Sequence, residues 1–427
     1  EPVDLLVIAA PAAAMPKVVD EVVASGKVGA AVMIPGGMGE TEGSGDLQRR
    51  VEEAVARGRE LPDGGPVFVG PNCMGLQSRP GRYDTFFIPP KKLDPRWSSP
   101  ARRVALISQS GAFIISRLSN IGTLDPALAL SLGNQIDVTL ADLLEAVGSR
   151  DDIDAIGVYA EGFANLGGLE FVRAVAKARR AGKTIVFYKA GRTASGRSAA
   201  AGHTASLAGD YEVCTAAVEQ AGAIVTDTFA EFQQVLEVAT ALHDKQVGGR
   251  RVGAISNAGY ETVGMADNIT GMRYQVEMAT LSAETQKKLS ETLAKFKLDK
   301  LVNARNPLDV TPMATDEAYE HCVRAMLEAP EVDGVVASLV PLTAMMLTAA
   351  DEITKPGSLA ERLPRLFAGA SKPVVVSIDS GELFDPFVKA IRAAGVPVFR
   401  SCDQALRSLA RYLCYRAPAA SVGQNQE

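Results

Sequence analysis

Four stretches carry residue types at spacings that chemistry can use. In Ile107-Ser108-Gln109-Ser110-Gly111-Ala112-Phe113 an apolar strand ends, small polar residues turn the chain, and an apolar helix begins. The N–H groups and positive end of such a helix attract anions, and two hydroxyls add hydrogen-bonding groups. The same residues also suit a plain serine cap in a tight turn. Residues 189–209 follow another strand and are rich in glycine, alanine and serine. They read as a long loop, of a length that compact domains reserve for function or disorder. Small residues there let a ligand approach the backbone closely. The stretch holds His203, one of three histidines, with Lys189, Arg192 and Arg197. His243 and His321 stand in polar helical contexts and read as surface residues.

Val158-Tyr159-Ala160-Glu161-Gly162 places a carboxylate at the carboxyl end of a buried strand, where open α/β sheets bind ligands. Glu161 there is suited to hydrogen-bond an imidazole and raise its basicity, or to stand as a solvated loop carboxylate. In Gly70-Pro71-Asn72-Cys73-Met74-Gly75 the turn formers follow a strand. Cys73 has no histidine nearby in sequence, which favours structure or cofactor contact over a nucleophile.

These sites need strands and helices to position them. Residues 3–10 are an apolar run without alternation, the pattern of a parallel strand buried on both faces. A helix over 15–25 closed by Gly26, a strand over 28–35, a helix over 47–59 and a strand over 66–70 follow. Together they read as the second half of a doubly wound domain. Its first strand and glycine-rich turn are expected to lie outside this sequence. The alternative is a small three-stranded domain, whose sheet buries little core.

Residues 78–102, rich in Pro, Arg, Lys and Asp, read as a linker. A second α/β segment has strands at 104–108, 155–159, 184–188 and 223–225, with helices over 112–121, 139–149, 167–181 and 229–243. After a short linker at 246–251, a third segment has strands at 252–256, 335–340 and 373–377. The strand-to-turn motif ISQSG at 107–111 returns as ISNAG at 255–259, a weak repeat that reads as two flavodoxin-like domains in tandem. The expected domains are 1–95, 101–245 and 250–417, and the tail at 417–427 is expected to fray.

The 427 residues include 44 basic and 50 acidic side chains, a formal net charge of −6. That balance gives no global attraction to nucleic acid or an anionic membrane. With 47% hydrophobic and 22% charged residues, the composition excludes disordered and fibrous classes. No run of about 20 apolar residues offers a transmembrane helix. The first residues lack the basic segment of a signal peptide. Five scattered cysteines show no metal-type spacing, so no metal site is expected, and they fit reduced thiols in a cytoplasmic protein.

Taken together, GPNCMG, SQSGAF, SLGNQID, YAEGF and GRTASGRSAAAGHTASLAG occur in an order that resembles the ADP-forming acyl-CoA synthetases. These are relatives of succinyl-CoA synthetase and include the ADP-forming acetate–CoA ligases. The resemblance spans essentially the whole chain. Asn306-Pro307-Leu308-Asp309-Val310 and Gly395-Val396-Pro397-Val398-Phe399-Arg400 resemble later motifs of the same family. It implies an α/β chain with a truncated Rossmann-like CoA-binding domain and two tandem flavodoxin-like, succinyl-CoA-synthetase-like domains.

The implied activity is the reversible conversion of acyl-CoA, phosphate and ADP to carboxylic acid, CoA and ATP, through an acyl phosphate and a phosphohistidine. On this resemblance His203 is the phosphorylated histidine and Glu161 the carboxylate that orients it. Ser108, Ser110 and Gly111 form the phosphate site, and Pro11, Pro35 and Asn72 contact CoA. The residues read the same way from below: an imidazole nucleophile, a carboxylate on its other nitrogen, and an amide-lined pocket for a phosphoryl group. The family's ATP-grasp domains are absent from this sequence. ADP or ATP with Mg2+ is therefore expected on a partner ATP-grasp domain or β subunit, in an oligomeric assembly.

Two departures stand out. The glycine-rich CoA loop is missing, and Asn257-Ala258-Gly259-Tyr260-Glu261 stands where the family usually has a Gly-Gly-Pro run. The second departure leaves the phosphate or nucleotide role of that loop open. The alternative function is a CoA- or acyl-CoA-sensing regulatory region of a larger protein such as an acetyltransferase, against which the presence of His203 argues. A succinyl-CoA-type ligase fits less well, because three domains occur where two suffice.

Overall fold

Unbroken apolar runs become parallel strands buried on both faces. The computed structural model describes residues 1–39, 43–120, 124–164, 166–203 and 210–418, apart from the side chains of 201–203. The chain divides into two units, one ending at Leu236 and the other beginning at Glu237.

In the first unit β1 (Val3–Ile8), β2 (Val28–Met33) and β3 (Val67–Val69) form a parallel sheet in that order. Helices α1 (Met15–Ser25) and α2 (Gly45–Arg59) connect them. α1 stops at Gly26, whose left-handed φ of 59° is open to glycine at no steric cost. Val19 of α1 and Val51 of α2 pack against Met33 and Phe68, so both helices cover one core.

A larger sheet follows, built from β4 (Leu76–Ser78), β5 (Tyr83–Asp84), β6 (Arg102–Ser108), β7 (Pro126–Ser131), β8 (Ala155–Ala160), β9 (Thr184–Lys189) and β10 (Ile224–Thr226). Its order is β10-β9-β8-β6-β7-β4-β5. The first five strands are parallel. They follow the 2-1-3-4-5 order of the flavodoxin-like fold, which places the switch point between β6 and β8. Its helices are α3 (Gly111–Asn120), α4 (Leu140–Gly148), α5 (Gly167–Arg180), α6 (Ala194–His203), α7 (Tyr211–Gln220) and α8 (Phe229–Ala241), the last crossing the division between units.

Two stretches depart from the sequence reading. The expected linker at 78–102 instead begins with β4 and β5, which extend the sheet as antiparallel strands. One of its charges is consumed internally: the buried Arg79 guanidinium pairs with Asp125 and donates to the Ser99 carbonyl. The expected loop at 189–209 contains α6. The Thr193 hydroxyl accepts the Gly196 amide at 3.0 Å, and the alanines at 199–201 favour helix.

The second unit repeats the order. β11 (Arg251–Ser256), β14 (Glu277–Met278), β15 (Leu308–Asp309), β16 (Gly334–Leu339), β17 (Val374–Ile378) and β18 (Val398–Phe399) are parallel, in the order β14-β11-β16-β17-β18 with β15 also on β11. A small antiparallel pair joins β12 (Thr270–Gly271) to β13 (Tyr274–Gln275). Helices α9 (Gly259–Asp267), α10 (Ala283–Lys295), α11 (Asp316–Glu328), α12 (Leu359–Gly369), α13 (Asp385–Ala393) and α14 (Cys402–Arg416) complete it. Asn306 stitches the β14 and β15 side of the sheet. Its side chain donates to the Val252 and Ala279 carbonyls at 2.8 and 3.0 Å and accepts the Ala254 amide at 2.9 Å.

His243 and His321, expected on the surface, are each half-buried. The His321 ring packs 5.3 Å from Phe296 and lies 3.7 Å from Glu317. The five cysteines are free thiols. Among the described residues, no helix is long and apolar enough to cross a membrane. Residues 419–427 of the expected tail lie outside the described residues.

Candidate active site

β6 and β8 end side by side at the switch point of the larger sheet. At the end of β6 the buried Ser108 hydroxyl donates to the Ser110 carbonyl at 2.7 Å and accepts the Ser110 amide at 3.1 Å. It therefore shapes the turn. The Ser110 hydroxyl accepts the Phe113 amide at 3.2 Å and caps α3. The amides of Gly111 and Ala112 have no acceptor among the described residues, and they sit at the positive end of that helix. A Cβ on Gly111 would lie 2.8 Å from the Met74 Cβ, so the turn requires glycine.

Glu161 follows β8, and side chains hold its backbone from both sides. Gln109 Oε1 accepts the amides of Glu161 and of Gly162, the latter at 3.0 Å. Lys189 Nζ, at the end of β9, donates to the Glu161 carbonyl at 2.7 Å and to the Ala190 carbonyl at 2.8 Å. Burial pulls this ammonium below its ordinary pKa, against the opposing pull of Cys214 and Glu161. The Glu161 carboxylate receives the Tyr159 hydroxyl at 3.2 Å. That ring is fixed by stacking on Phe113 at 4.2 Å and on Tyr188 at 5.7 Å. Burial, then the neighbouring carboxylate, raises the Tyr159 pKa, so the phenol remains a donor.

Pro11, Pro35 and Asn72 follow β1, β2 and β3 at the carboxyl edge of the smaller sheet. The Asn72 amide donates to the Pro35 carbonyl at 2.9 Å, and the Pro11 carbonyl accepts the Ala14 amide at 2.9 Å in a 3-10 turn. Asn72 takes a left-handed φ of 57°, which asparagine tolerates. The loop after β7 binds this edge to the switch point. The Asn134 amide donates to the Pro71 carbonyl at 2.9 Å and the Gly133 amide to the Gln109 carbonyl at 3.2 Å. A Cβ on Gly133 would meet the Pro71 carbonyl oxygen at 2.0 Å, so only glycine permits the approach.

A cavity of about 520 Å³ opens where these loops converge, lined among others by Asn72, Gln109, Ser110, Gly111 and Glu161. The structure thus joins one residue expected at CoA, two expected at phosphate and the expected carboxylate. Pro11, Pro35 and Ser108 lie outside its lining. His203 ends α6, and its side chain and residues 204–209 lie outside the described residues. Cys73 also lines the cavity. Its thiol donates to the Met33 carbonyl at 3.3 Å, and burial pushes its pKa up to about 12, so it is not a nucleophile.

Sequence reasoning missed Gln109, Tyr159 and Lys189 as the frame of Glu161. Gln109 and Tyr159 occur in the quoted motifs, and Lys189 opens the 189–209 stretch. Two of them act on backbone atoms 28 to 53 residues away, which no local pattern shows. Phe87, exposed on the cavity wall, falls in the stretch read as linker.

The second unit's equivalent turn is closed. Ser256 donates to the fully buried Glu261 carboxyl, and the Asn257 side chain bridges the amide and carbonyl of Val340 at 2.8 and 2.9 Å. Burial raises the Glu261 pKa. A buried carboxyl in the first turn of α9 fills the place that an anion takes in an open turn.

Residues 1–79 match the family described as CoA binding domain, and residues 101–239 match the succinyl-CoA ligase like flavodoxin domain. The chain is 32% identical over 424 residues to the acetate–CoA ligase (ADP-forming) I subunit alpha of Pyrococcus furiosus, with 95% of this chain and 81% of that protein aligned. It is 31% identical over 416 residues to acetate–CoA ligase (ADP-forming) I of Archaeoglobus fulgidus, covering 96% of this chain. It spans only 54% of the length of that relative. The acetyl-coenzyme A synthetase 1 of Ca. Korarchaeum cryptofilum, described as dinucleotide forming and solved with phosphate and ADP, superposes with a TM-score of 0.82 at 25% identity. That likeness covers 97% of this chain and 84% of the solved one.

Proposed function

Because the chain belongs to the family of the ADP-forming acetate–CoA ligases, we propose that it is the acyl-CoA-handling part of such a ligase. The reaction interconverts acyl-CoA, phosphate and ADP with carboxylic acid, CoA and ATP. A phosphate oxygen attacks the thioester carbonyl, the C–S bond breaks, and CoA leaves as the thiolate. The His203 imidazole then attacks phosphorus, the P–O bond to the acyl group breaks, and the carboxylate departs. The phosphoryl group passes from His203 to ADP. ADP is held, with Mg2+, by an ATP-grasp region on a partner subunit or a further segment of the assembly.

Each residue has a role in this reading. The Gly111 amide and the Ser110 hydroxyl hold the phosphate at the positive end of α3, with Ser108 shaping their turn. Glu161 accepts a hydrogen bond from the far nitrogen of His203, which fixes its tautomer and raises its nucleophilicity. The edge formed by Pro11, Pro35 and Asn72 takes CoA. The domains are 1–95, 101–245 and 250–417, the middle one bearing the histidine, and the protein works in the cytoplasm. The observation that carries the reading is the cavity that places Asn72, Ser110, Gly111 and Glu161 around one volume. The ligase names of the relatives do not favour the sensing-region alternative.

The test is CoA release from a panel of acyl-CoAs, with phosphate, ADP and the ATP-grasp part supplied. Release should require phosphate, and ATP formation, which runs through the histidine, should be lost in His203→Ala. Glu161→Gln should slow it by about 100-fold or more, the effect of mis-setting an imidazole's partner. Full ATP formation from acyl-CoA by His203→Ala would end the assignment.

A further inference from the structure

The cavity wall holds one polar group with no use in the fold. Gln109 is 3% exposed, and its side-chain Oε1 accepts two backbone amides, those of Glu161 and Gly162. Those two donors fix the carboxamide orientation, since a flipped side chain would set its NH2 against two N–H groups. The Nε2 atom is therefore the other end, and it has no hydrogen-bond partner among the described residues. Buried amide donors are almost always paired, so an orphan on a residue that lines a cavity points to an absent acceptor. The groups on that wall include the Gly111 amide and the Ser110 hydroxyl, with the Glu161 carboxylate beside them. The amide and the hydroxyl donate or are able to donate, and with the Gln109 carboxamide they describe a receptor for an oxyanion.

We propose that the Gln109 carboxamide is an oxyanion-binding group: its NH2 donates to a phosphoryl oxygen held in the cavity while its oxygen holds the Glu161 loop. The inference rests on the reading of this cavity as a phosphate site and adds a residue to it. One side chain thereby links the place where phosphate sits to the carboxylate that acts beside it. The ligand class is an anion with tetrahedral oxygens, inorganic phosphate or the phosphoryl end of an acyl phosphate.

The experiment titrates the full chain with inorganic phosphate and follows 31P line width for the unsubstituted protein and for Gln109→Glu. The glutamate keeps an oxygen for the two amides and puts a second oxygen where the NH2 was. Losing one hydrogen bond to a charged group weakens binding about 10- to 100-fold, and repulsion adds to it, so a loss of about 100-fold or more is expected. In parallel, the Gln109 carboxamide 15N–1H resonance of the unsubstituted chain, assigned by its contacts with the Glu161 and Gly162 amides, should shift on titration. That second reading stands even where the variant does not fold. Equal phosphate affinity in folded Gln109→Glu, or an unmoved carboxamide signal at saturation, overturns the inference and leaves the phosphate site intact. No phosphate binding by the unsubstituted chain overturns both.

Discussion

Lys189→Met separates the frame of Glu161 from mere stability. Methionine keeps the length of the side chain and removes the ammonium. Lys189 is 2% exposed, and its Nζ makes hydrogen bonds of 2.7 and 2.8 Å to the Glu161 and Ala190 carbonyls. Two hydrogen bonds from a charged donor are worth about 3–6 kcal/mol. Burial disfavours the ammonium, as its lowered pKa shows, so relief of that desolvation offsets part of the loss. A net destabilisation of about 2–3 kcal/mol follows. Trp97, the single tryptophan, lies in the first unit and reports its unfolding by fluorescence. At a urea slope of about 3 kcal/mol per M the midpoint should fall by about 0.8 M.

Lys183→Met is the control. Its Nζ donates to the Arg150 and Ile153 carbonyls at 2.6 and 2.7 Å, beside the amino end of the same strand. The two lysines are thus roughly 20 Å apart, with the same chemistry away from the cavity. Both variants should lose similar stability, while only Lys189→Met should lose phosphate-dependent ATP formation from acyl-CoA, by about 10-fold or more. Equal activity in the two variants, with an unchanged pH profile, would refute the idea that Lys189 positions Glu161.

Asp125→Asn leaves the buried Arg79 guanidinium without its counter-charge and should cost about 3 kcal/mol, read by the same Trp97 transition. A cost below about 1 kcal/mol would mean that the 78–102 stretch is not held by this pair. Cys73 and Cys322 are buried, each with a pKa pushed up to about 12, so neither should react with a disulfide reagent at pH 8 until denaturant is added. Labelling of either in the native protein, located by peptide mass, would contradict their packing. Against desolvation, which raises it, hydrogen bonds from the Ser282 amide and the Thr285 and Ser282 side chains bring the Glu331 carboxyl to about 2. Its folded value lies below the ordinary value of about 4.3, so its stabilisation is present above that pH and is lost as pH falls toward 2. Solvent screening limits the effect to under about 1 kcal/mol. Glu331→Gln should lower stability slightly at pH 6 and not at pH 2, and a difference that persists at pH 2 would reject it.

Much of the scaffold was legible because parallel strands are apolar on both faces and end at Gly, Pro or Ser. The runs at 104–108, 155–159 and 184–188 became β6, β8 and β9 almost unshifted. β7 was missed, since Pro126-Ala127-Leu128-Ala129-Leu130-Ser131 has weak strand propensity and gains its place from pairing with β6 and β4. The pair β4 and β5 hid among prolines and charges whose partners lie far along the chain. In the site, Glu161 and Ser110 were readable because they follow strands at the edge where ligands bind. Gln109 and Lys189 were not, because a side chain that grips a distant carbonyl or amide leaves no periodic mark.

The central claim is that His203 carries the phosphoryl group. Intact mass of the chain after incubation with phosphate and acetyl-CoA, then with other acyl-CoAs, and with the ATP-grasp part present, tests it directly. The account predicts one added phosphoryl group, acid-labile as a phosphohistidine is, and absent from His203→Ala. Phosphate-dependent turnover without that mass, or the same mass on His203→Ala, would contradict it.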